Sequence, residues 1–385
     1  MSNWGKWAGH VLRYITSPKH EFLTYKTDSG IYPLEDKVLL AVAGDWGTGT
    51  DEAQHVTTEM KNVHPDYTLH LGDVYYVGDE LELQENCLGG NGKGVKWEPG
   101  TKGSFALNGN HEMYACGDAY FNNFLPKLGP YDPAGNPQGQ KASFFALENR
   151  HWKIIALDTG YNSTGIRTAL SFLSRIKRIQ WLRKTSWFKP SCKLRPEQME
   201  WLRKILPSGK QQPESEAIVP ALILLSHHEY FSSFDDWYPI PGQQLSEVIS
   251  PNRPVLWFWG HEHRFALYDC FGIADGIRAH GRCVGHGGMP VDRSAVPDIT
   301  DCNCVLYDDR RYPTDEDIDV GYNGFITLNF DGPQLEVTYY DLFKTPLVKE
   351  YWTSDGTGQL QGPIFHDVNA ALKQNDPAYI KKHSA

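Results

Sequence analysis

Six short apolar runs in this 385-residue chain each end at polar side chains that can bind a metal ion or a phosphate group. The first run, "VLLAVAGDWG", begins at Val38. The polar residues that follow the six runs are Asp45, Asp73, Asn110 with His111, Asp158, His227 with His228, and His261 with His263. Carboxylate, amide and imidazole groups form a ligand set that suits divalent or trivalent metal ions.

Each polar residue also has an ordinary explanation when it is taken alone. An Asp after a strand often caps a helix or forms a turn, and a single His is commonly a half-buried side chain. The ends of neighbouring strands converge at one edge of a sheet, however, so these residues are predicted to meet in one pocket. Buried carboxylates and imidazoles in such number are costly unless cations neutralise them. The pattern therefore predicts a site for two metal ions, formed by Asp45, Asp73, Asn110, His227, His261 and His263.

The elements that must position these residues follow from the periodicity of the sequence. Short apolar runs rich in β-branched and aromatic residues, bounded by Gly and Asx, are typical of buried strands. Segments with helical spacing lie between them, including Ala53–Val63 and Pro196–Leu206. Strands that alternate with helices predict an α/β sandwich, with its functional groups on loops beyond the strand ends.

Composition excludes several other classes of protein. The net charge of −10 argues against nucleic-acid binding, and no apolar run is long enough for a transmembrane helix. The N-terminal residues lack the apolar core and cleavage site of a signal peptide, and the seven cysteines show no disulfide pattern. We therefore expect a cytoplasmic protein. Cys302 and Cys304, with Cys270 and Cys283, lack the two CxxC pairs of a typical zinc site.

The ordered motifs GDWG, GDVYY, GNHE, SHHE and GHEH resemble those of the calcineurin-like metallophosphoesterases, and more narrowly those of the purple acid phosphatases. The resemblance covers about residues 38–341 and includes "GFITLNFDGPQLEVTYYD", which is similar to the closing β-hairpin of that fold. It implies a four-layer αββα sandwich of two mixed β-sheets flanked by helices. It also implies an N-terminal extension over residues 1–37, a catalytic domain over 38–341 and a C-terminal extension over 342–385.

The same resemblance implies a ligand set. Most relatives carry D-x-H in the first motif, whereas the purple branch has Gly at that position, here Gly47, and recruits a tyrosine from the second motif. Tyr76 stands three residues after Asp73 and is the expected ligand, with Tyr75 as a packing residue. The first metal ion is then bound by Asp45, Asp73, Tyr76 and His263, and the second by Asp73, Asn110, His227 and His261. A phenolate ligand favours Fe³⁺ in the first site, with a divalent ion (Zn²⁺, Mn²⁺ or Fe²⁺) in the second.

The implied function is hydrolysis of a small phosphomonoester by attack of a metal-bound hydroxide. His111 and Asp73 are the expected catalytic residues, and Asn110, His228 and His286 the expected substrate contacts. Glu112 is expected either to orient His111 or to be exposed, and Glu262 to point away from the metals. Phosphodiester or nucleotide hydrolysis is an alternative, because several aromatic residues near the motifs are candidates for stacking on a base; they are Trp97, Tyr114, Phe231, Phe234 and Trp237. An inactive scaffold is the non-enzymatic alternative, which the complete ligand set disfavours.

One further segment is unusual for an acidic chain. Residues Ile166–Lys204, within a predicted basic helical insertion over about residues 164–204, carry eleven Lys and Arg residues against two Glu. Apolar residues recur there at roughly helical spacing, which predicts an amphipathic helix. A solvated surface is the simplest interpretation of this segment. A lid that attracts anionic substrates and a contact with a membrane or partner are the alternatives.

Overall fold

The computed structural model describes residues 17–27, 29–92, 94–164, 190–206, 218–294 and 302–384. Most of the basic insertion predicted over residues 164–204 therefore lies outside the described residues. Its last part is described: Pro196–Ile205 is a helix that packs on a sheet of the main fold. Within the described ranges, no helix is long and apolar enough to cross a membrane.

Strands and helices alternate in the first part of the chain, whereas the strands from Phe265 onwards follow one another up to the C-terminal helix. The strands are Ile31–Pro33 (β1), Lys37–Ala43 (β2), Tyr67–His70 (β3), Gly103–Ala106 (β4), Gly129–Pro130 (β5), Phe145–Glu148 (β6), Trp152–Leu157 (β7), Ala221–Ser226 (β8), Val255–Trp259 (β9), Phe265–Gly272 (β10), Arg278–Val284 (β11), Val291–Asp292 (β12), Cys304–Tyr307 (β13), Val320–Gly321 (β14), Gly324–Asp331 (β15), Gln334–Asp341 (β16), Pro346–Ser354 (β17), Leu360–His366 (β18) and Lys373–Gln374 (β19). The α-helices are Asp51–Asn62 (α1), Glu80–Asn86 (α2), Asn110–Met113 (α3), Pro196–Ile205 (α4), Pro239–Leu245 (α5) and Pro377–Lys382 (α6). Short 3₁₀ turns at Gly90–Gly92 and Leu125–Lys127 and a π-helix at Tyr120–Phe124 complete the elements.

Two large mixed sheets form the centre of the described fold. One has nine strands in the order β1-β6-β7-β8-β9-β11-β10-β13-β19, and the other has eight in the order β18-β17-β16-β15-β2-β3-β4-β5. Strands β2, β3 and β4 are parallel neighbours in the second sheet, and β7, β8, β9 and β11 are parallel neighbours in the first. The carboxyl ends of parallel strands share an edge, so each sheet presents a row of loop residues on one side.

Strand alternation explains the layers. In β8, Ile223 and Leu225 face the core between the sheets, whereas Leu222 and Leu224 pack with helices α4 and α5 on the outer face. Strand β2 shows the same period of two: Leu40 and Val42 enter the central core, and its alanines pack with α1. The predicted four-layer arrangement of two mixed sheets between helical layers is confirmed.

The two longer predicted helices form where the sequence indicates. Helix α1 begins after Thr50, whose hydroxyl accepts a hydrogen bond from the Ala53 N–H at 3.2 Å, and acidic residues fill its first turn. Helix α4 begins with Pro196, a residue suited to the first helical position, and buries Met199, Leu202 and Ile205 against the nine-stranded sheet.

The segments on either side of residues 38–341 contribute to the same sheets. Strand β1 pairs in parallel with β6, and β17 and β18 extend the eight-stranded sheet beyond the predicted β15–β16 hairpin. A buried ion pair links the two sheets: Arg282 on β11 donates to both carboxylate oxygens of Glu350 on β17, at 2.9 and 2.7 Å. The Tyr339 hydroxyl donates to the same carboxylate at 2.8 Å.

Candidate metal centre

The polar residues after five strands meet where the two sheets adjoin. Asp45, Asp73 and Asn110 follow β2, β3 and β4 of one sheet, and His227 and His261 follow β8 and β9 of the other. Contacts between these residues join the sheets: His227 Nε2 lies 3.3 Å from Asp73 Oδ2, and the His261 N–H donates to Asp45 Oδ2 at 2.7 Å. The structure therefore brings the predicted residues together in one pocket.

The backbone of this pocket is held in conformations that non-glycine residues rarely adopt. Asp45, Asp73 and His261 have φ angles of 56°, 74° and 63°. Residues in this left-handed region cost about 1–3 kcal/mol each and cluster at functional sites, where they aim side chains in otherwise inaccessible directions. Gly109 has a related role, because a Cβ there would lie 2.0 Å from Asp73 Oδ1 and 2.7 Å from His227 Nε2.

His227 faces Asp73 with one ring nitrogen. Its Nδ1 lies 2.9 Å from the Leu71 carbonyl oxygen, which can only accept, so Nδ1 carries a proton and Nε2 faces the pocket. Nε2 lies 3.2 Å from Asn110 Oδ1, another acceptor, in addition to its contact with Asp73. Although burial alone would lower the pKa of His227, the Asp73 carboxylate raises it to about 9. A proton on Nε2 thus occupies a position that a metal ion can take.

Asp73 and His261, which both contact His227, also have shifted pKa values. Burial alone would raise the pKa of Asp73, but His227 and His111 hold that pKa well below its usual range. Burial and the nearby charge of His227 lower the pKa of His261 to about 3, so its ring is neutral. The Nδ1 of His261 lies 3.3 Å from His227 Nε2 and can offer a lone pair to the same ion.

At the other end of the pocket, the tyrosine assignment made from the sequence is wrong. Tyr76 is 55% exposed, whereas the buried Tyr75 donates its hydroxyl hydrogen bond to Asp45 Oδ1 at 2.7 Å. The Tyr75 hydroxyl oxygen also lies 2.9 Å from His263 Nε2, and that nitrogen lies 3.5 Å from Asp45 Oδ1. Burial and the adjacent Asp45 carboxylate raise the pKa of Tyr75 well above its usual range. A phenolate there would therefore need a cation beside it.

The backbone around Gly47, the position where a histidine ligand is missing, explains why Tyr75 and not Tyr76 contacts Asp45. Gly47 forms an isolated parallel bridge with Val74, and its carbonyl accepts a hydrogen bond from the Tyr75 N–H at 2.8 Å. A Cβ on Gly47 would lie 2.9 Å from the Asp73 carbonyl oxygen and 3.0 Å from the Val74 Cα. The close approach of the two segments draws Tyr75 over Asp45 and leaves Tyr76 facing outward.

His111 stands at the open side of the pocket. Its N–H donates to Asp73 Oδ1 at 3.0 Å, and its Nδ1 donates to the Tyr76 carbonyl at 2.7 Å. This places Nε2 3.7 Å from Asp73 Oδ2, with a fifth of the side chain exposed. Burial lowers the pKa of His111. The structure thus leaves one nitrogen of this ring directed to the pocket.

Glu112 and Glu262 support the backbone and the loops around the pocket. Glu112 is buried and accepts from the Gly109 N–H at 2.7 Å and the Asp73 N–H at 3.2 Å, so it holds two ligand-bearing turns together instead of orienting His111. Burial raises its pKa to about 8. Glu262 is also buried: it pairs with Arg264 at 2.7 Å and accepts from the Ser232 hydroxyl at 2.6 Å.

The two remaining histidines differ in their positions. His228 is buried with its ring centre 4.8 Å from that of His227 and 4.6 Å from that of His261, and burial lowers its pKa well below the usual range. His286 does not reach the pocket. Its buried ring packs 5.8 Å from that of Phe265, and its carbonyl accepts from the Gly324 N–H at 2.8 Å. The predicted substrate contact by His286 is therefore wrong, because β15 covers this residue.

The chemistry of the donor set fits metal ions. In the described ranges, two groups offer ligand atoms within 4.8 Å of one another: Asp45, Asp73 and His227 form one, and His227, His228 and His261 form the other. All these residues except His261 are buried, and His227 belongs to both groups. The residues present therefore fit the binding of metal ions.

Sequence reasoning missed two contributors. Thr159, directly after β7, is buried with its hydroxyl 3.0 Å from His228 Nδ1. The only feature of the sequence that indicates a role for Thr159 is its place in "LDTG", which follows an apolar run as the other motifs do. Leu71 contributes a backbone carbonyl, for which a sequence carries no side-chain signal.

Comparisons with known proteins find one family model and several similar solved structures. The family model of calcineurin-like phosphoesterases matches residues 38–265. Among solved structures, a purple acid phosphatase from yellow lupin seeds (Lupinus luteus) is 13% identical with a TM-score of 0.46, and the match covers 81% of this chain and 52% of that one. A structure of PhoD is 12% identical with a TM-score of 0.47, covering 95% and 76% of the two chains. GAP50, the anchor in the inner membrane complex of Plasmodium, is 12% identical with a TM-score of 0.46, covering 90% and 93%. The chain thus spans about half the length of the lupin protein, and no curated protein sequence matches it.

Proposed function

Because the chain belongs to the calcineurin-like phosphoesterase family, we propose that it is a two-metal phosphohydrolase that acts on small phosphomonoesters. The observation that carries this proposal is the position of Asp73. Its carboxylate lies within 4.8 Å of ligand atoms from both Asp45, which follows β2 of one sheet, and His227, which follows β8 of the other. A carboxylate has two oxygens and a charge, so it can bridge two cations where an amide or imidazole cannot.

The ligands divide between two positions. Asp45, Asp73, Tyr75 and His263 would hold the first ion, and Asp73, Asn110, His227 and His261 the second. The first set includes a phenolate and two carboxylates, which favours a trivalent ion such as Fe³⁺, while the second suits Zn²⁺, Mn²⁺ or Fe²⁺. When bound, two such ions lower the pKa of a coordinated water towards about 7 and neutralise charge on the phosphoryl oxygens.

The chain's own contribution to the reaction centres on His111. Its Nδ1 is committed to the Tyr76 carbonyl, so Nε2 is the nitrogen that meets the substrate. Nε2 can donate a proton to a leaving alkoxide only when the ring is an imidazolium, because a neutral ring already has its proton on Nδ1. Burial lowers the pKa of His111 below its ordinary value, so this role requires an acidic working pH.

The side of the pocket that carries His111 and His263 is open to solvent. Their side chains are 20% and 27% exposed, whereas those of Asp45 and His227 are fully buried. A phosphoryl group entering from this side would meet the Nε2 of His111 before it reached the buried ligands. The substrate's organic group would remain towards solvent, which suits small phosphomonoesters of varied structure.

The positions of the aromatic residues do not favour nucleotides. Trp97 and Phe231 are buried in the core, and the guanidinium of Arg264 covers the Phe234 ring at 3.9 Å. Tyr114 lies beside His111, with ring centres 5.0 Å apart, and its hydroxyl accepts from the Asn110 amide at 3.0 Å. Trp237 donates its indole N–H to the Ser232 carbonyl at 2.6 Å and packs on Phe271. We therefore place phosphodiesters and nucleotides second.

A substrate panel tests the proposal. The metal-loaded chain is assayed on phosphomonoesters, phosphodiesters and nucleotides, with the Asp73→Asn variant as the control for contaminating phosphatases. We expect kcat/KM to be highest for monoesters and to fall to background in the variant. Higher kcat/KM for diesters or nucleotides would select the alternative substrate class. No turnover of any phosphoester by the metal-loaded chain would favour a binding scaffold.

A further inference from the structure

We propose that His228 is a third imidazole ligand of the second metal ion, in addition to His227 and His261. The family pattern assigns only one histidine of the SHHE motif to a metal. This inference rests on the proposed two-metal function and specifies which ion the second position prefers.

The structure places three imidazole nitrogens close together. One ring nitrogen from each of His227, His228 and His261 lies within 4.8 Å of the other two. The His227 Nε2 to His261 Nδ1 distance is 3.3 Å. Nitrogens bound to one ion at about 2.1 Å stand roughly 3.0–3.4 Å apart in tetrahedral or octahedral geometry, so that pair already has ligand spacing. The ring centre of His228 lies 4.8 Å from that of His227 and 4.6 Å from that of His261, so its ring is in contact with both.

The opposite side of the His228 ring is fixed. Its Nδ1 lies 3.0 Å from the Thr159 hydroxyl oxygen, and its backbone N–H donates to the same oxygen at 3.1 Å. An Nδ1–H that donates to Thr159 leaves Nε2 without a proton, so this nitrogen has a lone pair to offer to a metal ion. His227 is held in the same way, through its Nδ1 and the Leu71 carbonyl. Metal-bound histidines almost always have such a partner on the second ring nitrogen.

The third imidazole changes the chemistry of the second position. Asp45, Asp73 and Tyr75 make the first position rich in oxygen, whereas His227, His228 and His261 make the second rich in nitrogen. Imidazole suits Zn²⁺ and other late divalent ions, whereas Mn²⁺ prefers oxygen ligands. We therefore expect His228 to increase the preference of the second position for Zn²⁺ over Mn²⁺.

Metal titrations of the full chain test this role without an activity assay. The His228→Asn variant keeps an amide N–H near the position of Nδ1 but removes Nε2. We expect Zn²⁺ affinity to fall at least as much as the roughly 10–100-fold produced by loss of groups that only support metal ligands. Mn²⁺ affinity should fall less. The Thr159→Val variant should produce a smaller loss, and His286→Asn, a buried histidine outside the pocket, should produce none.

NMR of the Co²⁺-loaded wild-type chain provides a test that does not depend on a variant folding. With ¹⁵N-labelled histidine, we expect a strongly shifted ring N–H from His228 in addition to those from His227, His261 and His263. An unshifted His228 ring in a chain that binds two Co²⁺ ions, or an unchanged Zn²⁺ to Mn²⁺ preference in His228→Asn, would overturn the inference. A wild-type chain that binds no metal would instead contradict the proposed function itself.

Discussion

The Tyr75 hydroxyl offers a sharp test of the first metal position. The Tyr75→Phe variant removes one oxygen and keeps the ring, which is buried beside the His111 ring at a centre distance of 4.3 Å. That oxygen donates to the Asp45 carboxylate at 2.7 Å. A hydrogen bond to a charged group contributes about 1.5–3 kcal/mol, so the free energy of unfolding of the metal-free variant should fall by about that amount.

The same variant should change the colour of the iron-loaded protein. A phenolate bound to Fe³⁺ produces a broad visible absorption, which we expect in the wild-type chain and not in Tyr75→Phe. Tyr76→Phe is the matched control, because that side chain is 55% exposed and its loss of a hydroxyl should change stability by less than about 0.5 kcal/mol. The assays are urea denaturation of the metal-free chain and visible spectroscopy after iron loading. Colour that persists in Tyr75→Phe and disappears in Tyr76→Phe would refute the placement of Tyr75.

Three further predictions concern the bridge, the proton donor and the core. Asp73→Asn should lose both metal ions, measured by metal analysis after dialysis; retention of two ions would exclude Asp73 as the bridge. His111→Ala should keep both ions but lower kcat by about 10²–10⁴-fold for esters with poor leaving groups, and by much less for good ones. For esters with poor leaving groups, the wild-type rate should fall as the pH rises through the His111 pKa, which lies below 6.5. The rate of His111→Ala should not show this fall. Glu350→Gln should lower the free energy of unfolding by about 3–5 kcal/mol, because Arg282 would keep a buried, unpaired charge. Glu200→Gln, in an exposed ion pair, is the control and should unfold at nearly the wild-type urea concentration.

Much of the pocket could be predicted because its residues follow apolar strands. The period of two in β2 and β8 and the polar residues that end them are local features, and parallel strands necessarily bring their carboxyl ends to a shared edge. Asp45 and Asp73 meet for this reason, and so do His227 and His261, whereas the approach of the two sheet edges depends on contacts between distant segments.

The errors arose where contacts between distant segments decide the outcome. The choice between Tyr75 and Tyr76 depends on the bridge from Gly47 to Val74, which spacing along one segment cannot show. His286 is turned into the fold by its packing against Phe265 and β15. Strand β17 lies in the segment predicted as a C-terminal extension, and it pairs with β16, a contact between separate strands that the sequence pattern of one strand does not show.

The most direct test of the central proposal is a metal titration of the metal-free chain with the initial rate of phosphomonoester hydrolysis as the readout. If Asp73 bridges two ions, hydrolysis should be absent without metal and should rise until two equivalents are bound per chain. Full activity without metal, or with a single equivalent, would contradict the two-metal account.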